Sequence, residues 1–427
     1  MRQNIRKAIC DEKQYKDGIA RYGGDWVKKK ILLVISTLSG GGAERVFANI
    51  SKYISDEFEV DFLLNDLSDI SYEYAGNIID LGAKPQKDKT KITYHIKVSL
   101  KKLVMLRKLK KTGQYSICLS AMTSSNVLNI LSGNKNCKVY LTEHNYVSAD
   151  AGKGLKRWII VTATKRLYNS ADRIIVVSHG VKKDLQEKFG ILKEKIRVIY
   201  NGFSINEILE KKEDYLPCEI KKTAGQFSIV TIGRLEYQKG QWHLIRALAK
   251  VKQYFDDVHL YILGEGKLRE QLEKLAKEMN VAKNITFTSF VKNPYAYLGK
   301  SDLFVQPSLY EGFGNVIVEA MSCGIPCIAS DYNVGAREIL APDTDVFYRT
   351  KTKIEYAKYG VLCPVCNESA IMETGDLSLE EDMLADAIIE LLKNEKLRAH
   401  YAELGPQRAW EFDMKNIKEE WIKVFEE

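Results

Sequence analysis

No apolar run in this sequence reaches the ~18 residues that a membrane-spanning helix needs. The first 26 residues are polar and charged and lack the apolar block of a secretory signal. Residence in the cytoplasm is therefore the default expectation. No Asp-x-Asp pair stands in a loop suited to a divalent ion, so metal dependence is not implied. Nor is there a recognised nucleic-acid-binding module or a basic motif interleaved with aromatics, which argues against nucleic acid as a partner. Standard zinc-ribbon spacing is missing as well. Cys363-Pro-Val-Cys366 and Cys323-Gly-Ile-Pro-Cys327 pair cysteines, but Cys327 opens one apolar strand and Cys363 closes another, where cysteine serves as a small hydrophobe. With no secretion signal, the eight cysteines are expected to be reduced.

What is present suits two α/β domains. A chain of 427 residues is long enough for about two, and 45% hydrophobic with 28% charged content is ordinary for a globular protein. The charge is unevenly spread: residues 1–206 carry a net +16 and residues 207–427 a net −8. A basic amino half beside an acidic carboxyl half points to a negatively charged surface facing one domain. Lys28–Ser36 reads as a buried strand, followed by the glycine loop Leu38–Glu44 and an amphipathic helix from about Arg45 to Ile54. Strand, glycine loop and helix make an anion-binding start to an α/β domain, although the loop is not the GxGxxG dinucleotide signature. Further strands are expected at 60–64, 116–119, 138–142, 173–178 and 196–200. The charged stretch 207–225 reads as a linker. The pattern restarts with strands at 227–232, 259–263, 285–287, 303–306 and 327–330, interrupted by an insertion-like stretch at 341–358. Boundaries follow: an extension at 1–27, a domain at 28–206, the linker, a domain at 226–408, and a carboxyl-terminal helix at 409–427 expected to pack back on the amino-terminal domain.

Glu311 and Glu319 bracket the run Glu311-Gly-Phe-Gly-Asn-Val-Ile-Val-Glu319. Its glycines just before a helix let a ligand approach the backbone and aim free amides at an anion. Carboxylates do not bind phosphate, so the glutamates' partners are expected to be hydroxyl groups beside it. Phosphate next to several hydroxyls describes a nucleotide sugar. Arg234 and Lys239, five residues apart after a strand and flanked by Gly233 and Gly240, suit phosphate oxygens. Each feature has a bland alternative as solvated charge at a turn; together they weigh more.

The ordered set Gly233-Arg-Leu-x-x-x-Lys-Gly240, Gly264-Glu-Gly266, Pro307-Ser-x-x-Glu-Gly-Phe-Gly-Asn315 and Glu-x7-Glu resembles retaining family 4 glycosyltransferases. Their GT-B fold places two Rossmann-like doubly wound domains facing across a cleft. The resemblance runs from about Lys29 to the carboxyl end, with 1–27 and 341–358 outside its familiar pattern. It implies that Arg234 and Lys239 hold the donor diphosphate and stabilise it as it leaves. It implies that Glu319 takes the ribose hydroxyls, and that Glu311, with amides of Gly312, Phe313, Gly314 and Asn315, contacts the transferred sugar. Gly264 joins the donor site, Gly41 and Gly42 approach the diphosphate, and His144 contacts the donor sugar near the acceptor. The similar enzymes retain configuration and need neither cofactor nor metal. They use a nucleotide sugar, UDP-linked by preference, and transfer a hexose or N-acetylhexosamine to a polyprenyl-diphosphate-linked glycan in capsule or O-antigen type polysaccharide assembly. A soluble acceptor, or a non-catalytic GT-B partner role, is the alternative.

The stretch 96–111 is the best membrane candidate. At helical spacing Lys97, Lys101, Lys108 and Lys111 share a face, with Leu103, Leu106 and Leu109 broadly opposite. Four lysines at ~1 kcal/mol each near an anionic leaflet would give reversible docking on the inner face of the cell membrane.

Overall fold

The computed structural model describes residues 19–427 apart from 23–24, 69, 84–91, 134, 151–153, 217–225, 333–334 and 367–373. Two compact α/β units divide the chain. The first takes the described residues up to Val177, then Lys182–Gly202 and Met414–Glu427; the second takes Ser178–Val181 and Phe203–Asp413.

Strands of the first unit are β1 (Ile19–Tyr22), β2 (Asp25–Val34), β3 (Phe58–Leu64), β4 (Asn77–Asp80), β5 (Ile117–Ala121), β6 (Lys138–Glu143), β7 (Arg173–Val176) and β8 (Ile196–Val198). They run parallel in the order β4-β3-β2-β5-β6-β7-β8, with β1 antiparallel to the start of β2. In β2 the run Ile31, Leu32, Leu33 and Val34 is fully buried, as befits a central strand with both faces covered. Ile31 sits in register between Val60 and Ile117. The helix Gly42–Ile54 lays Val46, Phe47, Ile50 and Ile54 on this sheet. The last helix, Met414–Glu426, adds Met414, Ile417, Trp421, Val424 and Phe425 to the same core.

The second unit contains β9 (Phe227–Ile232), β10 (Val258–Leu263), β11 (Ile285–Phe287), β12 (Leu303–Gln306), β13 (Cys327–Ser330), β14 (Glu355–Tyr356) and β15 (Val361–Cys363). Their order is β11-β10-β9-β12-β13-β15-β14, parallel except for β14. Helices Gln241–Val251 and Leu379–Lys393 share its largest core. A buried Glu381 closes a capping box with Ser378 and accepts from Arg246 Nε at 2.8 Å, with His243 Nδ1 at 2.7 Å.

Several expectations need correction. The strand expected from Lys28 begins at Asp25, and part of the supposed extension forms β1; residues 1–18 lie outside the described residues. Half-exposed β4 was not anticipated. The expected linker opens inside a helix, Ile205–Lys211, because Ile205 and Ile208 find cover on one face; residues 217–225 lie outside the described residues. The helix expected at 409–427 starts later, at Met414, and runs to Glu426; residues 409–410 end the preceding helix, Glu395–Trp410. The 341–358 stretch is pinned by fully buried Arg337, which donates to Asp331 Oδ2 at 2.6 Å, Thr344 Oγ1 at 3.0 Å and Glu355 Oε2 at 2.8 Å. Cys327 and Cys363 are buried strand residues with free thiols. No helix among the described residues is long and apolar enough to cross a membrane.

Candidate active site

In the second unit β9 and β12 are neighbours, so the loops after them leave the same sheet edge together. Ligands gather at such carboxyl ends in open parallel sheets. Lys239 closes a short 3-10 turn, Tyr237–Lys239, which ends at Gly240 with φ 60°. A Cβ at 240 would stand 2.4 Å from the Pro307 carbonyl oxygen, so glycine is required there on two grounds. That approach brings Lys239 to the loop carrying Glu311. Lys239 Nζ lies 2.5 Å from Glu311 Oε1, and the two side chains are 17% and 11% exposed. Gln306 Nε2 at 3.1 Å and Ser308 Oγ at 2.8 Å donate to the same oxygen, while Gln238 Nε2 donates to Oε2 at 3.1 Å. A partly desolvated carboxylate gains from each of these donors. Arg234 behaves differently: it is 68% exposed, with Nη1 3.4 Å from Glu236 Oε2.

Glycines shape the rest of this edge. A Cβ on Gly233 would lie 3.0 Å from Cε of Lys239, so the lysine stem rests on bare backbone. Gly264 is pressed against the Gly233 carbonyl, which a Cβ would meet at 2.2 Å, so it braces the Arg234 loop from behind. Gly312, Phe313 and Gly314 lead into the helix Asn315–Ser322, with Gly314 at φ 108°. Glu319 stands one turn into that helix and is only 3% exposed.

In the first unit Gly41 caps the helix that starts at Gly42. The Glu44 carboxylate folds over it, with Oε2 2.0 Å from where a Gly41 Cβ would stand. The helix start thus carries its own anion, the favourable arrangement at a positive dipole end. His144 follows β6, with Nε2 3.1 Å from Thr142 Oγ1 and the ring edge-on to Phe47 at 6.1 Å. Its buried Nδ1 has no partner among the described residues, and burial pushes the imidazole down to about 4.

The lysine-rich stretch is a helix, Ile92–Lys111. Lys97, Lys101, Lys108 and Lys111 are exposed, Leu106 is buried, and Leu103 and Leu109 are half-buried. Lys102 and Lys110 turn inward: Lys110 Nζ donates to the carbonyls of Asn129 and Gly133, each at 2.8 Å. Sequence reasoning missed an exposed apolar row among the outer lysines, Ile96, Leu100 and Val104, the last two 58% and 64% exposed. It also missed Gln238, Gln306 and Ser308 as holders of Glu311. A polar Gln306 closing a buried strand was the available signal.

The family description "Glycosyl transferases group 1" fits residues 217–360, and "Glycosyltransferase Family 4" fits residues 40–207. An uncharacterized glycosyltransferase of Methanocaldococcus jannaschii is 35% identical over 68% of this chain and 72% of its own length. A Campylobacter jejuni N-acetylgalactosamine-N,N'-diacetylbacillosaminyl-diphospho-undecaprenol 4-alpha-N-acetylgalactosaminyltransferase is 28% identical over 92% of this chain and 99% of its own. Among solved structures, Anabaena HepE in complex with UDP and glucose superposes with a TM-score of 0.67 at 20% identity, covering 93% of this chain and 99% of that one. Two doubly wound sheets, matched along nearly their whole length by such relatives, place the chain in the group 1, family 4 glycosyltransferases with the GT-B fold.

Proposed function

We propose that this glycosyltransferase moves a hexose or N-acetylhexosamine from a UDP-linked sugar to a polyprenyl-diphosphate-linked glycan, with retention, on the inner surface of the membrane. The carrying observation is the Lys239–Glu311 pair. It sets a cation suited to a leaving diphosphate beside an acid suited to sugar hydroxyls, next to a glycine loop that opens a helix. Without donor, Lys239 neutralises Glu311. With donor, the diphosphate competes for the ammonium and an oxygen of Glu311 turns to the sugar. Exposed Arg234 is free of packing and swings onto the phosphates. As the C1–phosphate bond breaks, charge grows on the departing oxygen, where Lys239, Arg234 and the Asn315 helix amides stabilise it without a divalent ion. The acceptor oxygen bonds C1 on the same face and passes its proton to the leaving phosphate. Glu319 holds the ribose hydroxyls.

The acceptor reading draws support from the Campylobacter relative, whose name gives an undecaprenol-diphosphate substrate. The helix Ile92–Lys111 supplies a matching surface, with Ile96, Leu100 and Val104 one helical turn apart between exposed lysines. Isothermal titration with UDP, GDP and ADP tests the donor: UDP is expected to bind, equally in EDTA and in magnesium. If no nucleoside diphosphate binds, the reading fails. Sedimentation with anionic vesicles tests the surface, with binding expected at low salt and release at high salt.

A further inference from the structure

Ser178 follows β7 and precedes the helix His179–Phe189. It is fully buried, and its hydroxyl donates to the carbonyl oxygen of Gly312 at 2.7 Å while accepting from the Val181 amide at 3.3 Å. The second contact is ordinary N-capping. The first reaches across 134 residues to the glycine loop of the site. Behind it, buried Glu338 accepts from the His179 amide at 3.0 Å and the Gly180 amide at 3.4 Å, holding the backbone that carries Ser178.

We infer that Ser178 is a positioning residue for the transfer, fixing the Gly312–Phe313 peptide so that the glycine loop meets the sugar diphosphate in one orientation. This rests on the donor site proposed above. In a trans peptide the carbonyl and the next amide point opposite ways. Pinning the Gly312 oxygen inward therefore directs the Phe313 N–H outward. Gly312 would otherwise be the least constrained residue of the loop. The following residues are already confined by contact: a Cβ on Gly335 would stand 1.9 Å from the Phe313 oxygen, and one on Gly314 would stand 2.4 Å from the Tyr332 hydroxyl. Packing of this kind limits where the loop can go, and the Ser178 hydrogen bond adds direction.

The test compares Ser178→Ala with Ser51→Ala in the full chain, by UDP titration and thermal unfolding. Ser51 is equally buried, donates to the Ala48 oxygen at 2.7 Å and accepts from the Ala75 amide at 3.0 Å, so both variants remove the same chemistry. Ser178→Ala is expected to weaken UDP about tenfold, the scale of one lost hydrogen bond. Ser51→Ala should lower the melting temperature and leave UDP affinity alone. Ser178→Thr, which keeps the hydroxyl, should return affinity toward wild type. Should Ser178→Ala not fold, Ser178→Cys, similar in volume but a weak donor, carries the comparison and is expected to bind UDP less tightly. Unchanged UDP affinity in a folded Ser178 variant, or an equal loss in Ser51→Ala, overturns the inference. Wild-type protein that binds no nucleoside diphosphate overturns the donor site instead.

Discussion

Lys239 and Glu311 hold opposite charges at 2.5 Å with both side chains largely covered, and that proximity decides how each substitution should behave. On the proposed reading, Lys239→Ala removes positive charge where the leaving phosphate develops negative charge, so kcat should fall by about two orders of magnitude. Glu311 would keep Gln306, Ser308 and Gln238 as donors, so the fold should survive. Steady-state kinetics beside a thermal melt separates the two effects. Glu319→Ala should instead raise the donor KM with a smaller effect on kcat, since the ribose contacts proposed for it would be equal in ground and transition states. His144 makes a pH prediction. Burial lowers its folded pKa from 6.5 to about 4. Between those values the unfolded chain binds the proton more readily, so stability falls as pH drops through that window and is untouched above it. Urea midpoints at pH 7 and pH 5 should differ more for wild type than for His144→Gln. Equal differences would remove burial of this ring as the cause.

Elements differ in how openly the sequence declared them. β9, β11, β12 and β13 appear as read, because each is a short apolar run closed by a polar or glycine turn. β4 escaped because an edge strand with half-exposed residues has no apolar run to show. Ile205–Lys211 was hidden by Glu207, Glu210 and Lys211, which outnumber its two buried isoleucines. In the site, charge and glycine spacing drew attention to Lys239 and Glu311. The neutral donors Gln238, Gln306 and Ser308 carry no such signature, and Ser178 finds its partner only through tertiary folding. Helix Ile92–Lys111 shows the same split: its lysines are visible in the sequence, whereas its exposed row depends on which face the sheet leaves open. That row yields a prediction for the element. Leu100→Asp with Val104→Asp should abolish sedimentation with anionic vesicles while leaving the melting temperature within a degree or two of wild type, because exposed positions contribute little to stability. Retained sedimentation would leave docking to the lysines alone.

Across the whole molecule, the chain does not finish one unit before starting the next. It leaves the first unit at Gly202, builds the second through Asp413, and returns with Met414–Glu427. A Cβ on Gly202 would stand 2.2 Å from Sδ of Met414, so the point of departure and the point of return are packed together. The returning helix is no accessory. Trp421 and Phe425 meet at a tilt with ring centroids 5.5 Å apart, Phe425 meets Phe58 edge-on at 5.7 Å, and the Tyr140 hydroxyl donates to the Val424 carbonyl at 3.1 Å. Glu427 then pairs with Arg173 at 2.6 Å. The basic first unit therefore depends for its core on the helix Met414–Glu426, while among the described residues the core of the second unit contains none of that helix. Trp421→Ala should cost about 3–5 kcal/mol, the scale of a large aromatic lost from a core. That loss belongs to one unit. In hydrogen–deuterium exchange, amides of β2, β3 and β5 should lose protection while those of β9, β10 and β12 keep theirs, and UDP should still bind. Protection lost equally from both sheets would mean that the units unfold as one, and protection lost from neither would mean that the returning helix is dispensable.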